Sequence, residues 1–407
     1  MFPLQLFYSA NFMTSVSRSN RYHIAVFGRR NAGKSSLVNC IAGQAVSIVS
    51  DVAGTTTDTV WKNIELPGVG AAVIADTAGF DDTGGLGLMR VDAARKVLVR
   101  ADVAILLLGD YDGDVTLEKE WLARIAEQQL PVIVVAGKCD KENSAERITA
   151  WQMALGCDVV PFSAVTGEGR EALLERIARQ YSLDDNLDDI THSLVKPGDI
   201  VVLVMPQDAS APKGRIIQPQ VQTLRNLLDK HCIALCCAPE ELPSLLQSLV
   251  AAPQLIITDS QVFATVEKLT PPGTMLTSFS VLMARHKGDI DAFISGAKAL
   301  LALPPTARVL IAEACSHIPQ NEDIGRVKLP RLLRSKLGDG LQIDVVGGND
   351  FPDDLSPYDI VIHCGACMFN RRTVLSRVRQ AKAQGVPITN YGIAIAALSG
   401  ILDRVVV

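Results

Sequence analysis

A glycine-rich segment near the start of the chain, Gly28-Arg29-Arg30-Asn31-Ala32-Gly33-Lys34-Ser35, contains the residue types that bind phosphate groups. It fits the pattern G-x-x-x-x-G-K-[ST], in which backbone N–H groups and a helix N-terminus face the phosphate oxygens. In such a loop Lys34 would contact the β and γ oxygens, and Ser35 would offer its hydroxyl to Mg²⁺. A simple glycine turn could share these letters, so the assignment depends on whether the other motifs of a nucleotide site are present downstream.

Four further segments occur in the order that a GTPase requires. Asp76 ends a predicted strand and would hold the Mg²⁺ shell, while the N–H of Gly79 would contact the γ-phosphate. Thr56, with Thr55 as the neighbouring alternative, would complete the metal shell. Asp140 would accept hydrogen bonds from the guanine N1–H and N2–H₂, which adenine cannot supply. We therefore expect GTP/GDP and Mg²⁺ as cofactors, bound by Asn31, Ala32, Gly33, Lys34, Ser35, Ser36, Asp76, Gly79, Lys138, Asp140, Ser163 and Ala164.

Three positions refine the expected hydrolysis, for which the catalytic set would be Lys34, Asn31, Thr56 and Gly79. Phe80 occupies the position where Ras-like proteins carry a water-orienting Gln, and Phe cannot orient water. Asn31 occupies the position where related GTPases coordinate K⁺, so we expect slow hydrolysis that K⁺ stimulates. Gly137 stands where related GTPases usually have Asn, which predicts weaker binding of guanine, with selectivity retained through Asp140.

A second set of reactive residues lies far downstream in the segments Cys315-Ser316-His317 and His363-Cys364-Gly365-Ala366-Cys367. Each segment comes after a predicted parallel strand, and ligand sites of open α/β sheets lie at the carboxyl ends of such strands. Three thiolates would suit a [4Fe–4S] cluster with one iron free of cysteine, which His317 or His363 could bind. A structural zinc site, a Cys364–Cys367 redox pair and simple core packing all remain open. Cys232, Cys236 and Cys237 fall in or beside an apolar strand, and we expect them in a core.

The elements that position these residues alternate strands with helices, which predicts an α/β fold. Residues 21–180 show the pattern of a doubly wound, mostly parallel sheet. A helix is predicted from Lys34 to about Ala42 and another over Gln218–His231. Strands are predicted over His23–Phe27, Ala71–Ala75, Val103–Leu108, Val132–Ala136, Ile200–Met205, Cys232–Cys237, Leu255–Thr258, Val309–Ala312, Leu341–Val346, Ile360–His363 and Pro387–Asn390.

The length of 407 residues predicts two to four domains. The acidic segment 182–198 ends in Pro-Gly and is typical of a linker, and Pro271-Pro272-Gly273 indicates a further break. The predicted divisions are an N-terminal extension at 1–20, a GTPase domain at 21–182, a linker at 183–198, a small α/β domain at 199–280 and a C-terminal α/β domain at 281–407.

Composition limits the classes of function. A net charge of −5 gives no general attraction to nucleic acid or to anionic membranes. We find no apolar run of the roughly 18 residues that a membrane span needs, and no basic residue precedes Met13, as a secretory signal would require. We therefore expect a cytoplasmic protein with no nucleic acid or membrane partner, in which translation starts at Met1 or Met13.

Residues 21–180 resemble the translation-factor-like GTPases that act in tRNA modification and ribosome assembly. Combined with Cys-x-His and then His-Cys-x-x-Cys downstream, the chain from about residue 20 resembles the [FeFe]-hydrogenase maturation GTPases, the HydF family. Segments of the middle domain, Val201–Pro206, Ala211–Arg215 and Pro219–Gln222, are also similar to the dimerisation domain of that family.

The resemblance implies a GTP-hydrolysing scaffold that forms a homodimer. A C-terminal domain would bind a [4Fe–4S] cluster through Cys315, Cys364 and Cys367, with His317 or His363 as a possible fourth ligand. Its cargo would be a transient diiron precursor, built by two radical-SAM enzymes and delivered to apo-[FeFe]-hydrogenase. The alternative is a GTPase of RNA modification or ribosome assembly with a structural Cys₃His zinc site, which predicts a basic RNA-binding face. The sequence offers only short basic stretches such as Arg371-Arg372.

Overall fold

A computed structural model provides the structure of the protein. It describes residues 21–43, 60–77, 79, 94, 96–109, 114–183, 189–207, 216–314, 324–348, 350–365 and 369–406. The chain forms two compact units, divided between Ser182 and Leu183.

The first unit has a six-stranded sheet in the order β2-β3-β1-β4-β5-β6. Its strands are β1 (Tyr22–Phe27), β2 (Val60–Leu66), β3 (Gly70–Asp76), β4 (Val103–Leu108), β5 (Val132–Ala136) and β6 (Val159–Pro161). Its helices with defined bounds are α1 (Lys34–Ala42), α2 (Thr116–Glu127), α3 (Ser144–Leu155) and α4 (Arg170–Ser182).

Every pairing in this sheet is parallel except that of β2 with β3. The central strands β1 and β4 are buried along their whole length, because both faces of a parallel sheet are covered by helices. Val26 of β1 pairs with Asp76 of β3, so the end of β3 lies beside the start of the glycine-rich loop. The carboxyl ends of the parallel strands thus meet at one edge of the sheet.

The second unit contains two four-stranded parallel sheets. Its strands are β7 (Ile200–Val204), β8 (Ile233–Cys237), β9 (Leu255–Thr258), β10 (Met275–Ser278), β11 (Arg308–Ala312), β12 (Gln342–Val346), β13 (Ile360–His363) and β14 (Ile388–Asn390). Its helices are α5 (Gln218–Asp229), α6 (Leu242–Ser248), α7 (Phe263–Leu269), α8 (Phe279–Lys287), α9 (Ile290–Leu301), α10 (Leu329–Leu337), α11 (Arg371–Ala383) and α12 (Tyr391–Leu398).

The two small sheets have the same arrangement of strands. One runs β10-β9-β7-β8 and the other β12-β11-β13-β14, so in each the first strand of the sheet lies next to the third. The connections that leave these two central strands diverge, which opens a crevice between them at the carboxyl edge. In the second sheet this crevice lies between β11 and β13, the strands that precede the two cysteine segments.

Both small sheets contribute to one hydrophobic core. Val202 of β7, Ile256 of β9, Leu310 of β11 and Val361 of β13 all belong to it and are essentially fully buried. Phe293 of α9 fills part of the same core. The two sheets are therefore packed together within the second unit.

The observed elements agree closely with the predicted ones where the sequence is apolar. The predicted bounds of β4, β5, β9, β13 and α1 are confirmed. Strand β2, which mixes polar and apolar residues, and strand β10 are not among the predicted strands.

Two expectations about the second unit change. The expectation that Cys236 lies in a core is wrong: β8 is an edge strand, and Cys236 is exposed while Cys232 is buried. In the predicted linker, Ile190 and Thr191 are buried, and the hydroxyl of Thr191 donates to Asn226 at 2.8 Å. Ile190 and Thr191 are thus packed within the second unit.

Candidate functional site

The glycine-rich loop connects β1 to α1 in a conformation that needs glycine. A Cβ atom at Gly28 would lie 2.5 Å from the carbonyl oxygen of Leu107, and Gly33 has a φ of 102°. Lys34 is largely buried, and its Nζ donates to the carbonyl oxygens of Gly28 and Arg29 at 2.9 and 2.8 Å. These bonds hold the ammonium group across the loop, where a nucleotide places its β and γ oxygens.

The Mg²⁺ ligands predicted on two different elements lie together. Ser35 lies in the first turn of α1 and Asp76 ends β3, and the Ser35 hydroxyl donates to the Asp76 carboxylate at 2.5 Å. A hydroxyl and a carboxylate oxygen are the hard donors that Mg²⁺ prefers. Gly79 is among the described residues, whereas Thr56 and Phe80 lie outside them.

Side-chain hydrogen bonds join the segments of two predicted nucleotide-binding residues, Asp140 and Ser163. Ser163 is fully buried, and its hydroxyl donates to the Asp140 carboxylate at 2.5 Å. This bond holds the pKa of Asp140 below its usual range, so the carboxylate stays ionised and can only accept hydrogen bonds. Cys139 accepts the N–H of Phe162 at 3.2 Å and donates its S–H to Ala136 at 3.1 Å. The position of Cys139 in its motif tolerates many residue types, so sequence reasoning did not predict these two hydrogen bonds.

The loop is also fastened to the neighbouring helix by an ion pair that sequence reasoning missed. The Arg29 guanidinium donates through Nε and a terminal nitrogen to the two carboxylate oxygens of Glu118, both at 2.7 Å. It also donates to the carbonyl oxygen of Asp114 at 2.5 Å. Glu118 lies in the first turn of α2 and is fully buried. Arg29 thereby fixes the backbone on which Asn31, with its left-handed φ of 59°, is placed.

The neighbouring strands β11 and β13, which border the crevice, lead into the two cysteine segments. Ala312 and His363, the last residues of these strands, are paired in register. Beyond them, the backbone N–H of Ala314 donates to the Cys364 sulfur at 3.0 Å. Cys315 comes directly after Ala314 in the sequence but, like His317 and Cys367, lies outside the described residues. Within the described part of the chain, no group of three potential metal-binding side chains is found.

His363 is enclosed and uses both ring nitrogens. Its Nε2 lies 3.0 Å from a terminal nitrogen of Arg377, which can only donate, so Nε2 accepts. Its Nδ1 then carries the proton and donates to the carbonyl oxygen of Cys364 at 2.8 Å. Burial, with the charge of Arg377 as a second cause, lowers the pKa of His363 to about 3. The imidazole is therefore neutral at physiological pH.

Three family models match the chain in succession. Residues 23–138 match the model of the 50S ribosome-binding GTPase, residues 190–288 the hydrogen maturase F dimerization domain, and residues 291–407 the hydrogen maturase F tetramerization domain. The fold and the nucleotide site define a P-loop GTPase, whose domain binds GTP or GDP with Mg²⁺. The two hydrogen maturase F models together span more than half of the sequence, and the chain belongs to the hydrogen maturase F (HydF) family of GTPases. Their names support self-association.

Two bacterial GTPases with other names are similar to part of the chain. The tRNA modification GTPase MnmE of Laribacter hongkongensis is 37% identical over 163 residues, which are 39% of this chain and 35% of that protein. GTPase Der of Fusobacterium nucleatum is 33% identical over 234 residues, which are 53% of this chain and 52% of that protein. The chain thus spans about a third to a half of the length of these relatives.

Solved structures show a similar partial match. An Aquifex aeolicus Era variant bound to GDP.AlF4- is 22% identical, with 53% of this chain and 92% of that chain covered and a TM-score of 0.34. The G domain of T. maritima FeoB is 27% identical, with 39% and 98% covered and a TM-score of 0.32. Among the described helices, none is both long and apolar enough to cross a membrane.

Proposed function

We propose that the protein is a GTP-controlled scaffold for the maturation of [FeFe]-hydrogenase. It would hold a diiron precursor near a [4Fe–4S] cluster and deliver it to the apo-hydrogenase, with two radical-SAM enzymes as the suppliers of the precursor. The family supports the role in hydrogenase maturation. The observation that supports the proposed cluster site is the bond from the Ala314 N–H to the Cys364 sulfur, because Ala314 directly precedes Cys315 in the sequence.

The donor set fits an iron–sulfur cluster. Cys315, Cys364 and Cys367 would supply three thiolates, and N–H donation to sulfur, as Ala314 makes to Cys364, is typical of cluster surroundings. Both ring nitrogens of His363 are engaged within the fold, which favours His317 as the fourth ligand. A cluster of this kind supplies one iron with an exchangeable coordination position, where a cargo can bind and leave.

GTP would control the scaffold through the switch segments. The γ-phosphate orders such segments through Mg²⁺, which Thr56 would bind, and through a backbone N–H, here that of Gly79, and hydrolysis releases them. GTP hydrolysis would thus set the binding or release of partners and need not drive the iron chemistry. Asn31 would coordinate K⁺ beside the phosphates, where the ion would stand in for an arginine finger.

Cluster binding is tested by anaerobic reconstitution of the full chain with iron and sulfide, then by iron and zinc analysis and EPR of the reduced protein. We expect four irons per chain and a cluster signal that Cys364→Ala weakens or abolishes. Cys232→Ala is the matched control, because Cys232 is a buried cysteine directly before β8 of the other small sheet. Stoichiometric zinc without iron would refute the scaffold and support the RNA-related alternative.

The role of K⁺ is tested by GTP turnover in matched KCl and NaCl. We expect faster turnover in K⁺, and we expect Asn31→Ala to remove the difference while leaving residual hydrolysis. Arg30→Ala is the control, because Arg30 is exposed on the same loop. Equal turnover of the unsubstituted protein in both salts would refute the proposed role of Asn31.

A further inference from the structure

Helix α11 buries a guanidinium group beneath the second cysteine segment. Arg377 is 6% exposed, and its guanidinium carbon lies 4.6 Å from the ring centres of both Phe351 and Phe369. One of its terminal nitrogens donates to Nε2 of His363 at 3.0 Å, and the other donates to the carbonyl oxygen of Gly348 at 2.6 Å. The charge is thus fixed in one position by aromatic rings and by two hydrogen bonds.

No carboxylate balances this charge within the part of the chain that the structure describes: the acceptors of Arg377 are an imidazole and a carbonyl. A buried cation is costly unless an anion compensates it. The group with a favourable charge interaction is Cys364, the residue after His363 at the mouth of the crevice. Among the described residues, Cys364 as a thiolate is thus a candidate counter-charge for Arg377.

A second buried cation reaches the same segment. Lys287, the last residue of α8, is 5% exposed and donates through Nζ to the carbonyl oxygen of Phe369 at 3.2 Å. Two cations from different helices thus border the segment that starts at Cys364.

We propose that Arg377 is the buried counter-charge of the cluster and favours its reduced state. The inference rests on the proposed function, because it assumes that the cysteines bind a [4Fe–4S] cluster. Reduction adds one electron, taken from an external low-potential reductant, and makes the thiolate-bound cluster more negative. A fixed positive charge nearby stabilises the more negative state, so it raises the reduction potential. Arg377 is thus a positioning and tuning residue that does not bind iron.

The competing explanation is that Arg377 only shapes the site by holding His363 and Gly348. Two substitutions separate charge from shape. Arg377→Lys keeps a positive charge but loses the planar fork, whereas Arg377→Met keeps much of the length and removes the charge. Arg379→Met is the matched control, because Arg379 belongs to the same helix and is also partly buried.

The experiment titrates the reconstituted full chain with dithionite and monitors the cluster by EPR and visible absorption. The unsubstituted protein tests the proposed function, since absence of iron there would refute the cluster itself. The variants test the inference. We expect the midpoint potential of Arg377→Met to be more negative, that of Arg377→Lys to stay near the original value, and that of Arg379→Met to be unchanged.

Several outcomes would overturn the inference while the cluster assignment stands. Equal midpoints for Arg377→Met and the unsubstituted chain would do so, as would equal shifts in Arg377→Lys and Arg377→Met. If Arg377→Met does not retain iron, the Lys variant decides. Retention of iron at an unchanged midpoint by Arg377→Lys supports the counter-charge, and loss of iron or a negative shift refutes it. Melting temperatures measured without iron identify any variant that fails to fold.

Discussion

Arg29 and Glu118 form a bidentate ion pair between the phosphate-binding loop and helix α2, with both N–O distances at 2.7 Å. Glu118 is fully buried, so removing Arg29 leaves a buried charge without its partner. We expect Arg29→Met to lower the free energy of unfolding of the GTPase unit by about 3 kcal/mol, and to weaken GTP binding because the loop loses its attachment. Urea unfolding and nucleotide titration measure the two effects.

The neighbouring Arg30 provides the matched control, since it is exposed on the same loop. Arg30→Met removes a similar side chain without uncovering a buried carboxylate. We expect the double variant Arg29→Met/Glu118→Leu to recover part of the stability lost in Arg29→Met, because it removes both charges. Equal stability of Arg29→Met and Arg30→Met would contradict a role for the pair.

Gly137 is a place where a substitution should strengthen nucleotide binding. A Cβ atom there would lie 3.1 Å from the carbonyl oxygen of Leu108 and 3.2 Å from that of Ala32, so small shifts are required. The Asn that related GTPases carry at this position adds an amide that contacts the base edge and the loops nearby. One net hydrogen bond contributes about 1 kcal/mol, so we expect Gly137→Asn to bind GTP roughly fivefold more tightly.

Gly137→Ala separates the two effects of that change. It brings the same crowding against Leu108 and Ala32 but no amide, so we expect binding no better than that of the original protein. Isothermal titration with GTP, with ATP as the selectivity control, gives both comparisons. If the Asn and Ala variants bound alike, the amide would have no role.

His286 should make the second unit sensitive to acid. Burial is the main cause that lowers the pKa of His286 from 6.5 to about 4, and the charges of Lys287, Arg371 and His192 act in the same direction. A hydrogen bond with the Asp189 backbone opposes the shift. Below pH 6.5, His286 therefore takes up a proton in the unfolded chain, whereas in the folded chain it stays neutral down to about pH 4. The contribution of His286 to the free energy of unfolding is fully present above pH 6.5. It is lost progressively toward pH 4, by up to about 3 kcal/mol.

The variant His286→Asn tests this pH dependence. Because it removes the titrating group, its loss of stability between pH 6.5 and 4 should be smaller than in the original protein. His231→Asn is the matched control, since His231 is exposed and Asn tolerates its left-handed φ of 57°. A pH profile for His286→Asn that parallels the original would show that other groups dominate.

The edge strand β8 is a candidate surface for self-association. Only one side of β8 is paired within the described sheets, and Ile233 at its start is 54% exposed. Nearby in sequence, α5 exposes Val221 and Leu228 by 44% and 50%. A lysine on an edge strand opposes pairing with a second copy. We expect Ile233→Lys to halve the molar mass measured by light scattering.

Val250→Lys is the control for that substitution, because Val250 is fully exposed on a loop between α6 and β9. It adds the same charge away from the strand edge and should leave the molar mass unchanged. An unchanged mass for Ile233→Lys would assign self-association to another face.

Sequence reasoning located the features that depend on local pattern. The continuous apolar runs of β4 and β5 and the motif that starts α1 predicted the correct bounds, because burial on both faces leaves little freedom of residue type. Ser35 and Asp76, both expected around Mg²⁺ from the motif order, lie in contact at 2.5 Å, and their role as Mg²⁺ ligands stays a prediction. The exposure of Cys236 was missed, because no local pattern distinguishes an edge strand of apolar residues from a central one.

The contacts that join distant segments could not be predicted in this way. Arg29 meets Glu118 across 89 positions of sequence, and both belong to motifs or helices in which charged residues are ordinarily solvated. Arg377 lies on a helix with several other basic residues, and only the packing of Phe351 and Phe369 distinguishes it from them. A helical pattern alone indicates which face is buried, but not which cation that face encloses.

The core shared by the two small sheets has a consequence for dissecting the molecule. Because Val202 and Ile256 of one sheet and Leu310 and Val361 of the other belong to a single cluster, cutting the chain between them would expose apolar surface on both fragments. The two small sheets should therefore unfold together, in one cooperative transition in calorimetry. Point substitutions, and not truncations, are then the route to separating subunit assembly from iron binding.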